Sequence, residues 1–491
     1  MKDRLYSFYL RKKNAAIMLL IDFLIVFASY ALLAIKHVSA DGYYHVFAND
    51  LWAPMTAGRV VWGMLLRLLT VANINVFHEQ GVCIVVFIAA LSWCAWRILC
   101  NVKQEFSLQE GVIYSIPILL GFINVFLQEW FIFAESALFY AIGIVTALES
   151  AIAVAKRKYI CSFILLMISV LCYQIMLSLF VVYALFIVYN KEQGQTIRSY
   201  IPTVILGGIA GVVSILAQKI AKMALGISVV REVDFSINSI LSKIPTILEK
   251  LWSTLLDAQG ILPPVITPIL IVLSFLSISV FYMRNKSKHA VFGIMVLFLL
   301  ILTSLGVIII PIILSSDIVW MPPRVLVGIF ALISMMALSA VLRLTGGGRV
   351  MIITLTLGLL VINIFTSQAI TVDMFKNNVL DQHLDHQAHA YIEQYEQESG
   401  NAIEQIAFYY DESYGWHYPE VGHVWYDTNL RTILIEGQRL NRINYHCSEY
   451  YLPAEASDAV FEQFFAGKNW DTFMPDQQFV MIDNTLHWCV Y

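Results

Sequence analysis

Runs of about 20 apolar residues, the length that spans the hydrocarbon core of a bilayer, recur along the first three quarters of the chain. They predict membrane spans at 14–35, 81–99, 110–128, 131–154, 159–172, 175–189, 200–218, 264–283, 289–311, 325–342 and 350–367. Residues 159–189 carry no charge. As one helix rising about 1.5 Å per residue they would overshoot a core about 30 Å thick. Basic residues stand on both sides, Lys156, Arg157 and Lys158 before and Lys191 after. The stretch therefore goes out and back, turning near Cys172, Tyr173 and Gln174.

This parity puts Lys2, Arg4, Arg11 to Lys13, Arg97, Lys103, Lys156 to Lys158, Lys191, Arg198, Arg284, Lys286, Lys288, Arg343 and Arg349 on one side, more than half of the 31 Lys and Arg. Positive charge in short loops marks the cytoplasmic side, so the N-terminus is expected inside. The outer side then holds a loop at 36–80, a loop at 223–263, a short one around 312–324, and the tail from about 368. Two outer segments are amphipathic and too short or too polar to cross. Val60 to Val71 reads as an interfacial or re-entrant helix, and 235–256 places Ile237, Ile240, Leu241, Ile244, Ile247, Leu248 and Leu251 at helical spacing around Pro245.

From Asp373 the pattern becomes that of a small soluble α/β domain: a polar helix at 379–399 ending at Gly400, a strand from Ile406 to Tyr410, a helix at about 456–466, and a hairpin from Gln478 to Tyr491 turning at Asp483-Asn484. The expected fold is thus a polytopic α-helical membrane protein of about eleven transmembrane helices, residues 1–367, followed by an extracytoplasmic α/β domain, residues 368–491.

Composition agrees: of 491 residues, 59% are hydrophobic and 13% charged, against about 25% charged in an ordinary soluble protein. The apolar run from Asn14 to Ile35 is too long for a cleaved signal and reads as a retained first helix. A net charge of −4 with no basic tract speaks against nucleic acid. Gly346 to Gly348 lie in a short inner loop without the Lys-Ser/Thr of a nucleotide-binding loop, and no metal-ligand spacing occurs, so neither metal nor cofactor is expected. Five cysteines lie in or beside spans, while Cys447 and Cys489 are the only two of the tail and are expected to form its disulfide.

Carboxylates at membrane level are functional candidates by default. Asp22 and Glu149 read as polar contacts between helices, and Glu135, near the outer end of its span, as a site candidate. The first outer loop is the richest stretch, with Asp41, His45, Asp50 and Arg59 among aromatics. Its "ADGYYH…NDLW…AGRVVWGMLLRLL", with "CYQIMLSLF" at the tight turn in mid-chain, resembles the bacterial glucosyltransferases that decorate O-antigen and related surface polysaccharides, the Gtr type II kind within the C-type glycosyltransferase superfamily. The resemblance covers roughly residues 1–365 and leaves the tail aside. It implies a multi-pass enzyme of the bacterial cell membrane, inverting, with an essential acidic residue in the first outer loop. Its donor would be a polyprenyl phosphate sugar used on the outer face and its acceptor a surface polysaccharide or glycolipid. A donor synthase and a small flippase would be its companions. Carried over residue by residue, it points to Asp41, Arg59, Tyr173 and Gln174. Many relatives have two adjacent acidic residues where Gly42 follows Asp41 here, which brings in Asp50 as the second carboxylate.

The chemistry fits. Transfer from a lipid phosphate to a sugar hydroxyl needs a base for the acceptor proton, and an ordinary aspartate, with a pKa of about 3.9, is already ionised. It also needs cations for the departing phosphate. Arg59 and Arg324 are the candidates, although Arg324 in "DIVWMPPRVLVG" also reads as an interfacial anchor. His45, Glu135, Tyr173 and Gln174 complete the expected substrate contacts. The alternative is a multispanning transporter or lipid-linked sugar flippase using Asp22, Glu135 and Glu149, but the two related halves of such a protein are not found. A polymerase would carry its large outer loop late in the chain, and a scaffold would need none of these residues. The charge pattern predicts that a reporter fused after residue 491 is active only outside the cytoplasm; activity confined to the cytoplasm would reverse the topology.

Overall fold

The computed structural model describes residues 2–39, 41–192, 196–226, 233–284, 290–315, 319, 321–410, 438–468 and 474–490. Lys286 and Lys288 of the charge pattern lie outside them, as do Tyr414, Trp416, His417 and Tyr418, which with Tyr409 and Tyr410 form an aromatic stretch expected either to contribute to acceptor binding or to make an ordinary aromatic core. The chain divides into two compact units, one of Met1–Ile35, Asp50–Phe131 and Glu135–Gln368, the other of Lys36–Asn49, Ile132–Ala134 and Ala369–Tyr491.

The first unit is helical. Its elements are α1 (Lys2–Tyr30), α2 (Trp52–Thr56), α3 (Val60–Val71), α4 (Gln80–Val102), α5 (Leu108–Leu120), α6 (Val125–Ile132), α7 (Ala137–Ala155), α8 (Tyr159–Cys172), α9 (Met176–Glu192), α10 (Ile201–Leu225), α11 (Ile237–Asp257), α12 (Ile266–Arg284), α13 (Ala290–Ile313), α14 (Val327–Arg343) and the first part, to Gln368, of α15 (Gly346–Ser399). Among the described residues seven helices are long and apolar enough to cross a membrane, and α5 with α6, bent by 68° at a short break, make an eighth if taken as one span. The chain is a polytopic helical membrane protein with a small sheet near its C-terminus. Eleven crossings do not follow from these lengths, since α8 and α14 fill predicted spans with only 14 and 17 residues.

Burial divides the helices by role. In α9 and α14 almost every side chain is buried, so these are the central helices, apolar all round because they touch protein on every face. Along α10 and α13 large apolar residues such as Val212, Ile220, Phe298 and Leu302 are exposed, as lipid-facing positions would be. Small residues and hydroxyls let the inner helices approach. Ser150 and Ser162 exchange hydrogen bonds between α7 and α8, and the Ser169 hydroxyl donates to the Gly143 carbonyl at 2.7 Å.

Two predicted spans differ from expectation. The span at 110–128 is broken, because the chain turns after Gly121 and restarts as α6. The backbone groups freed by the break are met by side chains. Asn124 Oδ1 accepts from the Phe126 and Leu127 amides, the Asn124 amide donates to the Tyr30 hydroxyl at 3.1 Å, and Asn363 Oδ1 accepts from the Val125 amide at 3.0 Å. The last span does not stop at 367. It runs on as α15 to Ser399, so the predicted polar helix at 379–399 is its continuation, and the chain leaves it through Gly400 at φ +74°.

The second unit takes the end of α15, α16 (Gln438–Cys447) and four strands, β1 (Gln405–Tyr410), β2 (Leu452–Pro453), β3 (Phe479–Ile482) and β4 (Thr485–Val490), in the order β2-β1-β4-β3. β3 and β4 form the expected hairpin around Asp483, and β1 lies parallel to both β2 and β4. The helix expected at 456–466 is only a short turn, Asp458–Val460, with a wider turn at Phe461–Phe465. Alternation along the strands builds two clusters: Ile406, Leu486 and Trp488 pack with Leu384, Ala388, Ile392 and Ile443, while Ala407, Tyr409 and Cys489 pack with Phe465.

That alternation overturns the expected disulfide. Cys447 packs against the first cluster and Cys489 lies in the second, and the two sulfurs are not joined. The Cys447 thiol donates to the Asp385 carbonyl, and burial, followed by the Asp385 carboxylate, pushes it up to about 12. Under the first cluster Arg442 is fully buried, paired with Asp381 at 2.9 Å and with Asp385 at 2.5 Å. Arg442→Met should destabilise this unit by about 3–5 kcal/mol, because two buried carboxylates lose their counter-charge. Limited proteolysis of the purified protein reads this as faster cleavage of the tail; an unchanged rate would show that the pair carries no stability.

Candidate active site

The sequence candidates fall into the two units. Asp41 and His45 belong to the unit that holds the tail, and Asp50, Arg59, Glu135, Tyr173, Gln174 and Arg324 to the helical unit. Asp41 is exposed at the head of the short 3-10 turn Gly42–His45, while Gly42, Tyr43 and His45 behind it are buried. The Asp41 carbonyl accepts from the Tyr44 amide at 3.2 Å, which fixes the backbone of the turn. Asp50 is half-buried.

In the helical unit the structure gathers Arg59, Tyr173, Gln174, Arg324 and Glu135 around an aromatic floor. The Arg59 guanidinium lies 5.0 Å from the Trp62 ring centre and 4.7 Å from that of Tyr173. Such cation–π contacts orient the planar fork as well as bind it. Its Nε is buried without a hydrogen-bond partner among the described residues. The turn that delivers it depends on Gly58, at φ +74°, where a Cβ would stand 2.8 Å from Gln218 Cβ and 3.2 Å from its Cα. Gln174 closes the same corner by donating to the Ala57 carbonyl at 2.7 Å.

Beneath Arg59, the Tyr173 ring packs on Trp130 and Tyr140, with centres 5.7 and 5.3 Å away, and Trp130 stacks on Tyr140 at 4.9 Å. Trp130 Nε1 donates to the Arg324 carbonyl at 2.9 Å. The Arg324 amide donates to Glu129 at 2.6 Å, and its guanidinium is ion-paired with the same carboxylate, which is wholly buried. Arg59, Arg324 and Glu135 all lie within electrostatic reach of the Tyr140 hydroxyl. Glu135 itself is buried on the turn before α7, next to the Ser136 hydroxyl.

Glu129, Trp130 and Tyr140 are the residues that sequence reasoning missed. With spans drawn at 110–128 and 131–154, Glu129 and Trp130 fall in a two-residue outer turn and read as solvated. The available signal was a lone carboxylate inside an otherwise apolar stretch. Of the two carboxylates read as helix contacts, Glu149 is held by both Nε and Nη2 of Arg97, while Asp22 is buried with no hydrogen-bond partner among the described residues. In the tail, Tyr409 sits in the core, its hydroxyl 2.7 Å from His487 Nδ1, which is the ordinary packing role rather than an acceptor-facing one.

Arg324→Met takes the guanidinium from the buried Glu129 carboxylate, so the thermal midpoint in detergent should fall by the equivalent of about 3–5 kcal/mol. Adding Glu129→Gln should restore most of the loss; a double variant as unstable as the single one would mean that the pair is not the cause.

No curated protein and no solved structure matches the chain. The family described as glucosyl transferase GtrII matches it over residues 30–344, from the end of α1 through α14, and so includes the first loop, Arg59, the Tyr173 turn and Arg324. That stretch is well over half of the 491 residues, and the chain belongs to the GtrII glucosyl transferase family, a membrane glycosyltransferase acting between a sugar donor and a glycan acceptor.

Proposed function

We propose that this glucosyltransferase takes its sugar, glucose, from a polyprenyl phosphate donor on the outer face of the bacterial cell membrane and transfers it with inversion to a surface polysaccharide or glycolipid. The observation that carries the reading is the presentation of Arg59: a guanidinium aligned by two aromatic faces, with a buried N–H that meets no acceptor among the described residues. Such a fork suits a phosphate oxygen better than a lone ammonium would, because its donors are planar and pre-aligned. A donor whose tail stays in lipid also suits a protein that offers amphipathic helices such as α3 and α11.

In this reading Asp41 is the general base. It is exposed, so it meets an acceptor hydroxyl without desolvation, and it can take the hydroxyl proton as the oxygen attacks the anomeric carbon and the polyprenyl phosphate departs. Arg59 stabilises the charge gathering on that phosphate. Tyr173 holds Arg59 in place, and Gln174 holds the backbone that precedes it. Arg324, its charge offset by Glu129, supports the floor through its carbonyl bond to Trp130. Asp50, His45 and Glu135 are assigned to substrate contact, and Asp50 is the competing base.

The test uses the purified protein with polyprenyl phosphate sugars of different head groups, following release of polyprenyl phosphate in the presence of candidate glycans. Asp41→Asn should lower turnover by about 10²-fold or more with donor binding retained. Asp50→Asn should have the smaller effect, and an exchange of the two phenotypes would move the base to Asp50. Arg59→Lys should raise the donor KM, since a point charge replaces a fork. An Asp41→Asn protein that transfers at the normal rate would remove the proposal.

A further inference from the structure

We infer that the tail unit is the frame that positions the acidic loop, with Tyr43 as a positioning residue acting on Asp41 through its hydrogen bond to His446. This rests on the reading of Asp41 as the base and goes beyond it, because the family match ends at residue 344 and assigns the tail nothing.

The loop 36–49 belongs to the same compact unit as the tail, and the tail grips it at four places. Lys36 Nζ donates to the Tyr445 hydroxyl at 2.7 Å. Asn378 treats the loop as a neighbouring strand: its Oδ1 accepts from the Val38 amide at 2.8 Å and its Nδ2 donates to the Val38 carbonyl at 2.9 Å. Asn441 Nδ2 donates to the Tyr43 carbonyl at 3.3 Å. The Tyr43 side chain, 1% exposed, places its hydroxyl 3.0 Å from His446 Nε2.

That last contact is the end of a fixed chain of bonds. His446 Nδ1 lies 2.6 Å from Asp385 Oδ2, and Asp385 is bound through both oxygens by Arg442, which also holds Asp381. A carboxylate paired with a buried guanidinium only accepts, so Nδ1 of His446 carries a proton and Nε2 faces the tyrosine. Burial, followed by the Asp381 carboxylate, holds the Tyr43 phenol well above its ordinary value, so its hydroxyl stays protonated beside Nε2. The rigid row Arg442, Asp385, His446 thus ends on Tyr43, two residues from Asp41. The grips on Val38 and Tyr43 bracket Asp41 from both sides, leaving its carboxylate exposed on a backbone that is held.

Small displacements of a catalytic group cost up to about 10²-fold in rate, so loosening this frame should act on turnover more than on donor binding. Tyr43→Phe removes one hydroxyl and keeps the buried ring. His446→Asn keeps an amide near the Nδ1 position for Asp385 but does not reach Tyr43, whereas His446→Gln places one near the Nε2 position. In the full-length protein, Tyr43→Phe and His446→Asn should each lower kcat about tenfold with the donor KM within about twofold. The double variant should be no worse than either single one, and His446→Gln should recover most of the rate. Hydrogen exchange across 41–46, which needs no sugar transfer, should be about fivefold faster in the two weakened variants.

Normal exchange and a normal kcat in Tyr43→Phe overturn the inference. Faster exchange with an unchanged kcat also overturns it, since the loop would be held for no catalytic end, and additive losses in the double variant place the two residues in separate roles. If the wild type transfers from no polyprenyl phosphate sugar, the proposed function fails and takes this inference with it. If the wild type is active, Asp41→Asn inactive and Tyr43→Phe normal, only the inference fails.

Discussion

A helix that breaks inside an apolar bundle leaves amides and carbonyls with no water to turn to, and each unmet group costs several kcal/mol. The break between α5 and α6 is survivable because Asn124, Tyr30 and Asn363 supply the missing partners from three parts of the chain. Much of the site hangs from that solution. A straight helix would carry Glu129 and Trp130 onward along its own axis. The 68° bend instead brings them to Arg324, where the carboxylate meets the guanidinium and the indole meets the carbonyl. Trp130 then supports Tyr173 and Tyr140, and Tyr173 supports Arg59. The orientation of the arginine proposed to meet the phosphate depends, through Trp130 and Tyr173, on how one broken helix satisfies its hydrogen bonds.

What the sequence made legible was local. Apolar runs located most of the helices to within a few residues, and the tight turn at Tyr173 could be read because basic residues flank an uncharged stretch too long for one crossing. The hairpin at Asp483 could be read from its turn pair. Pairings between distant segments could not. No local pattern announces that β1 lies parallel to β4, and α16 shows only Leu440, Ile443 and Cys447 as an apolar row among polar neighbours. The expected disulfide failed on strand parity: Cys489 follows Trp488, so it must point to the opposite face from the cluster on which Cys447 rests. Glu129 failed on window placement, since a charge between two apolar windows reads as a turn unless the helix is known to break there.

The candidate site was legible in its residues and not in its grouping. Arg59 and the pair Tyr173-Gln174 were singled out in separate loops, and the structure joins them through two aromatic faces and one carbonyl. Arg324 was weighed as anchor or phosphate ligand, and its bond to a buried glutamate gives it a supporting role that neither option contained.

The composition change at Asp373 suggested a separate appended domain, yet the unit it begins also contains residues 36–49. The polar character of that loop explains the association. A segment offering Lys36, the Val38 backbone and the Tyr43 hydroxyl has hydrogen-bonding groups to satisfy, and lipid-facing helices have few to give, whereas Asn378, Asn441, Tyr445 and His446 supply them. A base that works on a sugar hydroxyl needs two properties that oppose each other: a solvated carboxylate, so that its charge costs little, and a fixed backbone, so that its position is already set. If Asp41 is that base, as proposed, burying Tyr43 and His45 on the frame while leaving Asp41 exposed meets both needs with a turn of four residues, and a loop held only by its two ends would meet the first alone.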